Sequence, residues 1–467
     1  MNLESLEAPY LQFANALLDC MAVRAAKEGI PALPTTRFEF TDDQGMRTIS
    51  NEPHLQRLAH RCLYSSPTLM ELNDQSIAAH WNAGLFRSPP VPKYYGSSEV
   101  CETLEEAKGQ ISEALLQPIT DALISAGSFP VSREALLEQY RRARTSWTAP
   151  FYQIRELVPL VNFTSDVPRA VPISARFSLN HFGSDAKSEA LASLGMPFSA
   201  SLQEGTALTQ AQFTLSRVVE RPKATQTFEA ELTELMETAT EIANIVTALR
   251  LLKVGSVGAP MLYQLGDGIL PWGNVRIGRG VGAYPRFASD AYSLSKQDMP
   301  SLRRLFESLR SLKPQETSAG LDVALRYFNQ SYSRTSQEDR LVDLAIVVES
   351  SLLYGMRDEL SYRASLLGAA MLAPTRSAME TSKLIKSLYE ARSMIVHNGK
   401  TLAGMKKSDQ FCDQCEEVIR AILRTYVEQL ARVDAGTHSV ESLNADLGRD
   451  LIENLRPPWK RRRRHSN

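Results

Sequence analysis

The sequence predicts an α+β chain in which a mixed helical and β N-terminal region precedes a C-terminal all-α bundle. Three observations carry that reading. From about 317 to 435, apolar residues recur at helical spacing between recognisable caps. From about 150 to 215 they alternate one by one instead, the period of a strand with one buried face. At 467 residues the chain is also too long for one small core. With 43% hydrophobic and 22% charged residues it has the composition of a folded protein, not a disordered one. The pattern changes divide it into 1–145, 146–316, 317–435 and a C-terminal extension, 436–467.

Residues 1–145 read as mostly helical, with poor caps and several breaks. Trp81 and Phe86 are expected core anchors, and Pro89, Pro90 and Pro92 mark a loop. Glu4 and Glu7 precede any basic residue and Asp19 interrupts the first apolar run, unlike a signal peptide. In 146–316, a possible sensor or regulatory region, Val158, Leu160 and Val161 flank Pro159. That predicts an edge strand, because proline lacks the N–H a central ladder uses. Ile173, Ala175, Phe177 and Leu179 alternate with Ser174, Arg176, Ser178 and Asn180, predicting a half-buried strand. Phe213 and Leu215 open another, and 186–206 reads as loop. Leu232, Leu235, Ala239, Ile242, Val246 and Leu249 share one face of a long helix. The glycine-dense stretch 265–283 reads as turns between short strands. A phosphate loop would lead straight into a helix, whereas Pro285 follows Gly278, Gly280 and Gly282. The sequence holds no Gly-x-x-x-x-Gly-Lys-Ser/Thr, His-Glu-x-x-His or Gly-x-Ser-x-Gly, so nucleotide hydrolysis, zinc proteolysis and serine hydrolysis lose their usual support.

The last folded region reads as five helices with short connections, a bundle. The first carries Leu321, Leu325 and Phe328. Ser336 caps the second, with Glu338 and Asp339 in its first turn and Leu341, Ala345, Val348 and Leu352 on one face. The third holds Leu360, Ala364, Leu367 and Met371 and closes at Pro374. Ser377 and Glu380 form a capping box for the fourth, whose stripe is Leu384, Leu388, Ala391 and Ile395 and which Asn398-Gly399 stops. The fifth runs from about 407 to 433 over Phe411, Cys415, Ile419, Ile422 and Leu430.

Net charge is a formal −1, which announces no nucleic-acid partner. The basic residues are concentrated at one end, however. Lys460, Arg461, Arg462, Arg463 and Arg464 form a tail that either contacts RNA phosphates or is a solvated terminus. Five cysteines make no disulfide framework, and the Cys412-x-x-Cys415 pair lies inside a helix on its apolar stripe, which favours packing over a metal. No metal and no cofactor is expected. No apolar run of about 18 residues is present, so no membrane contact is expected and a reducing cytoplasm fits best.

One stretch carries chemistry. Arg392 and His397 stand five apart at the end of the fourth bundle helix. Spacing alone proves nothing, since Arg176 and His181 repeat it in the predicted strand 173–180, where an odd offset sends side chains to opposite faces. On a straight helix, five residues mean about 7.5 Å of rise and about 140° of rotation, so the pair does not share one face. Either the backbone departs from helical angles near His397, or a second copy of the helix supplies the missing partner. A helix C-terminus carries partial negative charge, which suits a cationic imidazole. RNA brings its own nucleophile, the 2′-OH. Cleavage then needs a proton acceptor, a proton donor and cationic support for the phosphorane-like charge, roles an imidazole and a guanidinium fill. A helix-capping histidine beside a surface arginine is the bland alternative.

The segment from about 321 to 400 resembles the Apea-like branch of the HEPN superfamily, small α-bundles found in ribonuclease toxins and antiviral defence. The matching elements are Ala324-Leu325-Arg326-Tyr327-Phe328, Asp339 through Ser350, Leu360-Ser361-Tyr362-Arg363-Ala364, and Leu388-Tyr389-Glu390-Ala391-Arg392-x4-His397-Asn398-Gly399. The resemblance does not reach the first 300 residues. It implies a metal-independent endoribonuclease acting on RNA, possibly tRNA. The enzyme would form a homodimer, possibly a higher oligomer, so that two Arg-x4-His motifs line one cleft. It also implies abortive infection, with a phage-derived trigger or regulatory protein as a possible partner. His397 would be the acid/base and Arg392 the phosphate ligand, with Asn398 supporting. Glu349 and Arg363 match charged positions of the family, and either orient Arg392 and His397 or form a plain interhelical salt bridge. Tyr389 reads as packing. Ser393 follows Arg392, where many relatives carry an amide, acid or His. A catalytically inactive RNA-binding or dimerisation module is the alternative function.

Overall fold

The computed structural model describes residues 3–28, 37–41, 45–49, 55–86, 100–149, 151–167, 170–183, 187, 211–222, 228–267, 276–280, 291–312, 319–353, 358–398, 408–431 and 445–446. Helix dominates these residues and the sheet is small, an α+β chain in the broad sense.

The N-terminal body comprises α1 (Glu7–Lys27), the antiparallel hairpin of β1 (Arg37–Thr41) and β2 (Gly45–Ile49), α2 (Leu55–Ser65), α3 (Pro67–Asn82), α4 (Leu104–Ala126) and α5 (Arg133–Thr148). The sequence predicts no strands here and poor caps. Instead Ser66 and Ser132 cap α3 and α5 through their hydroxyls, and Thr103 with Glu106 closes a capping box on α4. Phe13, Leu17, Cys62, Ile77, Leu115, Tyr140 and Trp147 share one core with Trp81 and Phe86. At its centre His80 is fully buried, bonded through Nδ1 to the Ser76 carbonyl at 2.6 Å and through Nε2 to the Tyr140 hydroxyl at 2.7 Å. Burial pulls this imidazole down to about 4, so it stays neutral at neutral pH.

Next come β3 (Phe151–Leu160), β4 (Phe163–Ser165), β5 (Val171–Pro172), β6 (Ser178–His181), β7 (Phe213–Pro222), α6 (Phe228–Leu252), β8 (Met261–Asp267), β9 (Arg276–Gly280) and β10 (Tyr292–Leu294). Six of them form an antiparallel sheet ordered β5-β6-β7-β3-β8-β9. β3 is therefore central, not the edge that Pro159 predicts. The proline is tolerated because β8 pairs β3 only from Gln153 to Leu157, and the next bridge on that side is at Val161. The predicted strand 173–180 is also broken. Ile173 and Ser174 donate their N–H groups to the Phe177 carbonyl, and the Ser174 hydroxyl accepts from the Arg176 and Phe177 N–H groups, so a tight turn joins β5 to β6. Gly278 and Gly280 lie in β9, paired with Tyr263 and Met261 in a hairpin.

One sheet face joins α6 in the large core, through Val158, Leu215 and Leu262 with Ile242, Ile245 and Leu249. The opposite face carries a smaller cluster of Leu157, Phe182, Ala211, Met261, Tyr263 and Leu265. After α7 (Met299–Ser311) come the five bundle helices: α8 (Ala319–Ser331), α9 (Gln337–Leu352), α10 (Leu360–Leu372), α11 (Ala378–Asn398) and α12 (Ser408–Ala431). α12 touches α6 through α11, and one buried cluster runs unbroken from Val158 to Val427. The core therefore continues across the pattern change at 316 and 317. No helix among the described residues is long and apolar enough to cross a membrane.

Candidate functional site

α11 carries the site. Its start is fixed by Ser377, whose hydroxyl accepts from the Glu380 N–H at 3.4 Å and whose carbonyl accepts from the Thr381 N–H. Ile385, Leu388 and Ala391 are buried, with Leu384 and Ile395 packed against them. α10 approaches closely because residue 368 is glycine; a Cβ there would strike Ile385 Cδ1. α9 packs on the same helix and brings Glu349 to its flank.

Arg392 lies at the border of the buried stripe. Its Nη2 is 3.7 Å from Glu349 Oε1, with the two side chains 30% and 28% exposed. That is beyond hydrogen-bond length, a loose ion pair in partial contact with water. Arg392 Nε is buried and, among the described residues, has no hydrogen-bond partner. Tyr389, one turn earlier, shares the condition: the residue is 9% exposed and its hydroxyl has no partner. Burial, then the Glu349 charge, push the Tyr389 phenol well above its ordinary range, with Arg392 opposing. The hydroxyl therefore stays a donor.

α11 continues as regular helix through His397 to Asn398, so no backbone departure brings the imidazole round to Arg392. His397 is exposed, as are Met394 and Val396. Arg363 is not brought to Glu349: it lies 4.0 Å from Glu359, the residue that precedes its own helix, both side chains exposed. Among the described residues Glu349 thus pairs with Arg392 alone. The Asn398 side chain and the whole Lys460 to Arg464 tail lie outside the described residues. The second Arg-x4-His pair is dispersed, with Arg176 beside Glu241 at 3.4 Å and the His181 ring edge-on to Phe213. Cys412 and Cys415 are buried free thiols, and burial raises the Cys415 thiol. Among the described residues no three of His, Cys, Asp and Glu converge.

Two features escaped sequence reasoning. One is the unpartnered Tyr389 hydroxyl, whose only sequence signal is its position three residues before Arg392, where helix periodicity puts neighbours side by side. The other is a buried network between α6 and the bundle. Glu416 contacts Arg340 and Arg420 and accepts from the Tyr332 hydroxyl at 2.7 Å. Arg420 Nε donates to the Arg250 carbonyl at 2.7 Å, while Arg250 itself bonds the Val257 carbonyl and Asn329.

Comparison with known protein families, curated proteins and solved structures finds no match.

Proposed function

We propose that the chain is a metal-independent endoribonuclease of the HEPN type, acting as a homodimer in bacterial anti-phage defence. The observation that carries the reading is the partly exposed Arg392 and exposed His397 on the last turns of one packed helix, with the guanidinium held, among the described residues, by a long contact to Glu349. The resemblance over residues 321 to 400 supplies the reaction class.

A regular α11 sets Arg392 and His397 about 140° apart, so each half of the cleft takes its partner group from a second copy. Exposed Met394 lies toward the His397 side of α11 and exposed Val396 toward the Arg392 side, so each group has an apolar neighbour that a second copy can cover. One His397 accepts the 2′-OH proton as the 2′ oxygen bonds to phosphorus. The other protonates the 5′ oxygen as its bond to phosphorus breaks. Arg392 offsets the charge growing on the non-bridging oxygens. The products are a 2′,3′-cyclic phosphate and a 5′-OH.

Incubation of purified protein with total RNA in EDTA, with product ends mapped, tests the reading. Cyclic-phosphate ends are expected, and His397→Ala and Arg392→Ala each abolish cleavage while the dimer persists. Undiminished cleavage in both variants overturns the assignment. RNA binding without cleavage, at equal affinity in His397→Ala, identifies a binding or dimerisation module instead. Deleting Lys460 to Arg464 weakens RNA affinity at low salt if the tail contacts phosphates; an unchanged salt slope makes it passive.

A further inference from the structure

Three polar groups meet beside the proposed site, and their hydrogen bonding is incomplete. Glu349 offers a carboxylate 3.7 Å from Arg392 Nη2. Arg392 Nε and the Tyr389 hydroxyl are buried donors without an acceptor among the described residues. Leaving a buried donor unpaired is costly, so two orphans next to one half-used carboxylate mark an arrangement waiting for a further acceptor. A phosphate oxygen is the acceptor that a guanidinium fork fits. When Arg392 turns outward to take it, Glu349 loses its cation. The carboxylate, only 28% exposed, is then left without its cation and gains from a replacement donor. Tyr389 can be that donor: it stands one turn before Arg392 on the helix against which the Glu349 helix packs, and its hydroxyl is buried and unpartnered among the described residues.

We propose that Tyr389 is a positioning residue whose hydroxyl takes over the Glu349 carboxylate when Arg392 leaves it for a bound phosphodiester. Glu349 restrains the arginine in the resting chain, and Tyr389 lowers the cost of releasing it. This rests on the ribonuclease reading for its ligand but makes Tyr389 act through Glu349, not on the RNA.

The test is a double-mutant cycle with the full chain and a 2′-O-methyl RNA oligonucleotide, which cannot be cleaved. Tyr389→Phe keeps the ring and its packing. It is expected to weaken binding on the order of tenfold, the size of a hydrogen bond to a charged group, in the wild-type background. In Glu349→Gln, which has no anion to hand over, the same change has little effect. An equal loss in both backgrounds, or none in either, overturns the proposal and makes the tyrosine packing or a water ligand. Cleavage of unmodified RNA in EDTA, run in parallel, separates the two readings. Coupling without cleavage keeps the handover and rejects the nuclease. Cleavage without coupling does the reverse, and a chain that neither binds nor cleaves loses both.

Discussion

Glu416 on α12 is 3% exposed and collects Arg340, Arg420 and Tyr332, while Glu349 on α9 has, among the described residues, one ion pair, to Arg392 at 3.7 Å and partly in water. The first cluster uses its polar atoms fully. Arg250 caps it, stacked 4.4 Å over the Tyr332 ring and pulled down to about 10 by burial. It ties the last turn of α6 to α8 and α12, and so joins the sheet layer to the bundle. The second cluster leaves two donors unused among the described residues and its arginine only loosely paired. Both contain arginine beside glutamate on neighbouring helices. Complete satisfaction makes one a fastener, and the incomplete satisfaction of the other is the ground on which we propose a ligand there.

The largest expected effect breaks the fastener. Glu416→Leu leaves Arg420 buried without its carboxylate and should lower unfolding free energy by about 3–5 kcal/mol, read as a fall in denaturant midpoint at constant m. A loss below about 1 kcal/mol would erase the distinction between the clusters. A second contrast is between buried His80 and exposed His397. The folded-state value of His80 lies below its unfolded one, so the unfolded chain binds the extra proton between about 6.5 and 4. Its contribution is present above about 6.5 and lost as pH falls toward 4, about 3 kcal/mol in all. Stability measured against pH should lose this component in His80→Gln and keep it in His397→Ala.

Next in size is Gly255, whose backbone (φ +133) lies between Arg250 and the Val257 carbonyl it binds. A Cβ there would sit 2.9 Å from the Tyr292 Cα, and the backbone angle is one other residues rarely adopt. Gly255→Ala should cost about 1–3 kcal/mol, checked by thermal unfolding. The smallest effect is the sharpest control. Glu349→Leu should change stability by less than about 1 kcal/mol, because its ion pair is long and partly solvated. A larger loss would make Glu349 a second fastener.

Legibility followed the range of the interactions. Ser336 does cap α9, its hydroxyl accepting from the Asp339 N–H at 3.2 Å, because a cap is settled within four residues. The stripes of α8 through α12 were readable for the same reason. Pro159 misled because a missing N–H matters only where a neighbour requires one, and the extent of β8 decides that from a hundred residues away. The alternation at 173–180 was real at Phe177 and Leu179, yet the Ser174 hydroxyl drew the backbone into a turn.

By itself the sequence determined the helices of the bundle, their buried faces and the position of Arg392 and His397 along one of them, since periodicity and capping are local. The tertiary structure alone decided the strand order, the single core joining sheet to bundle, the choice of Glu349 over Arg363 as neighbour of Arg392, and the unspent hydroxyl of Tyr389. Those depend on which helices meet and on which polar atoms find a partner there, and neither is encoded within a few residues of the chain.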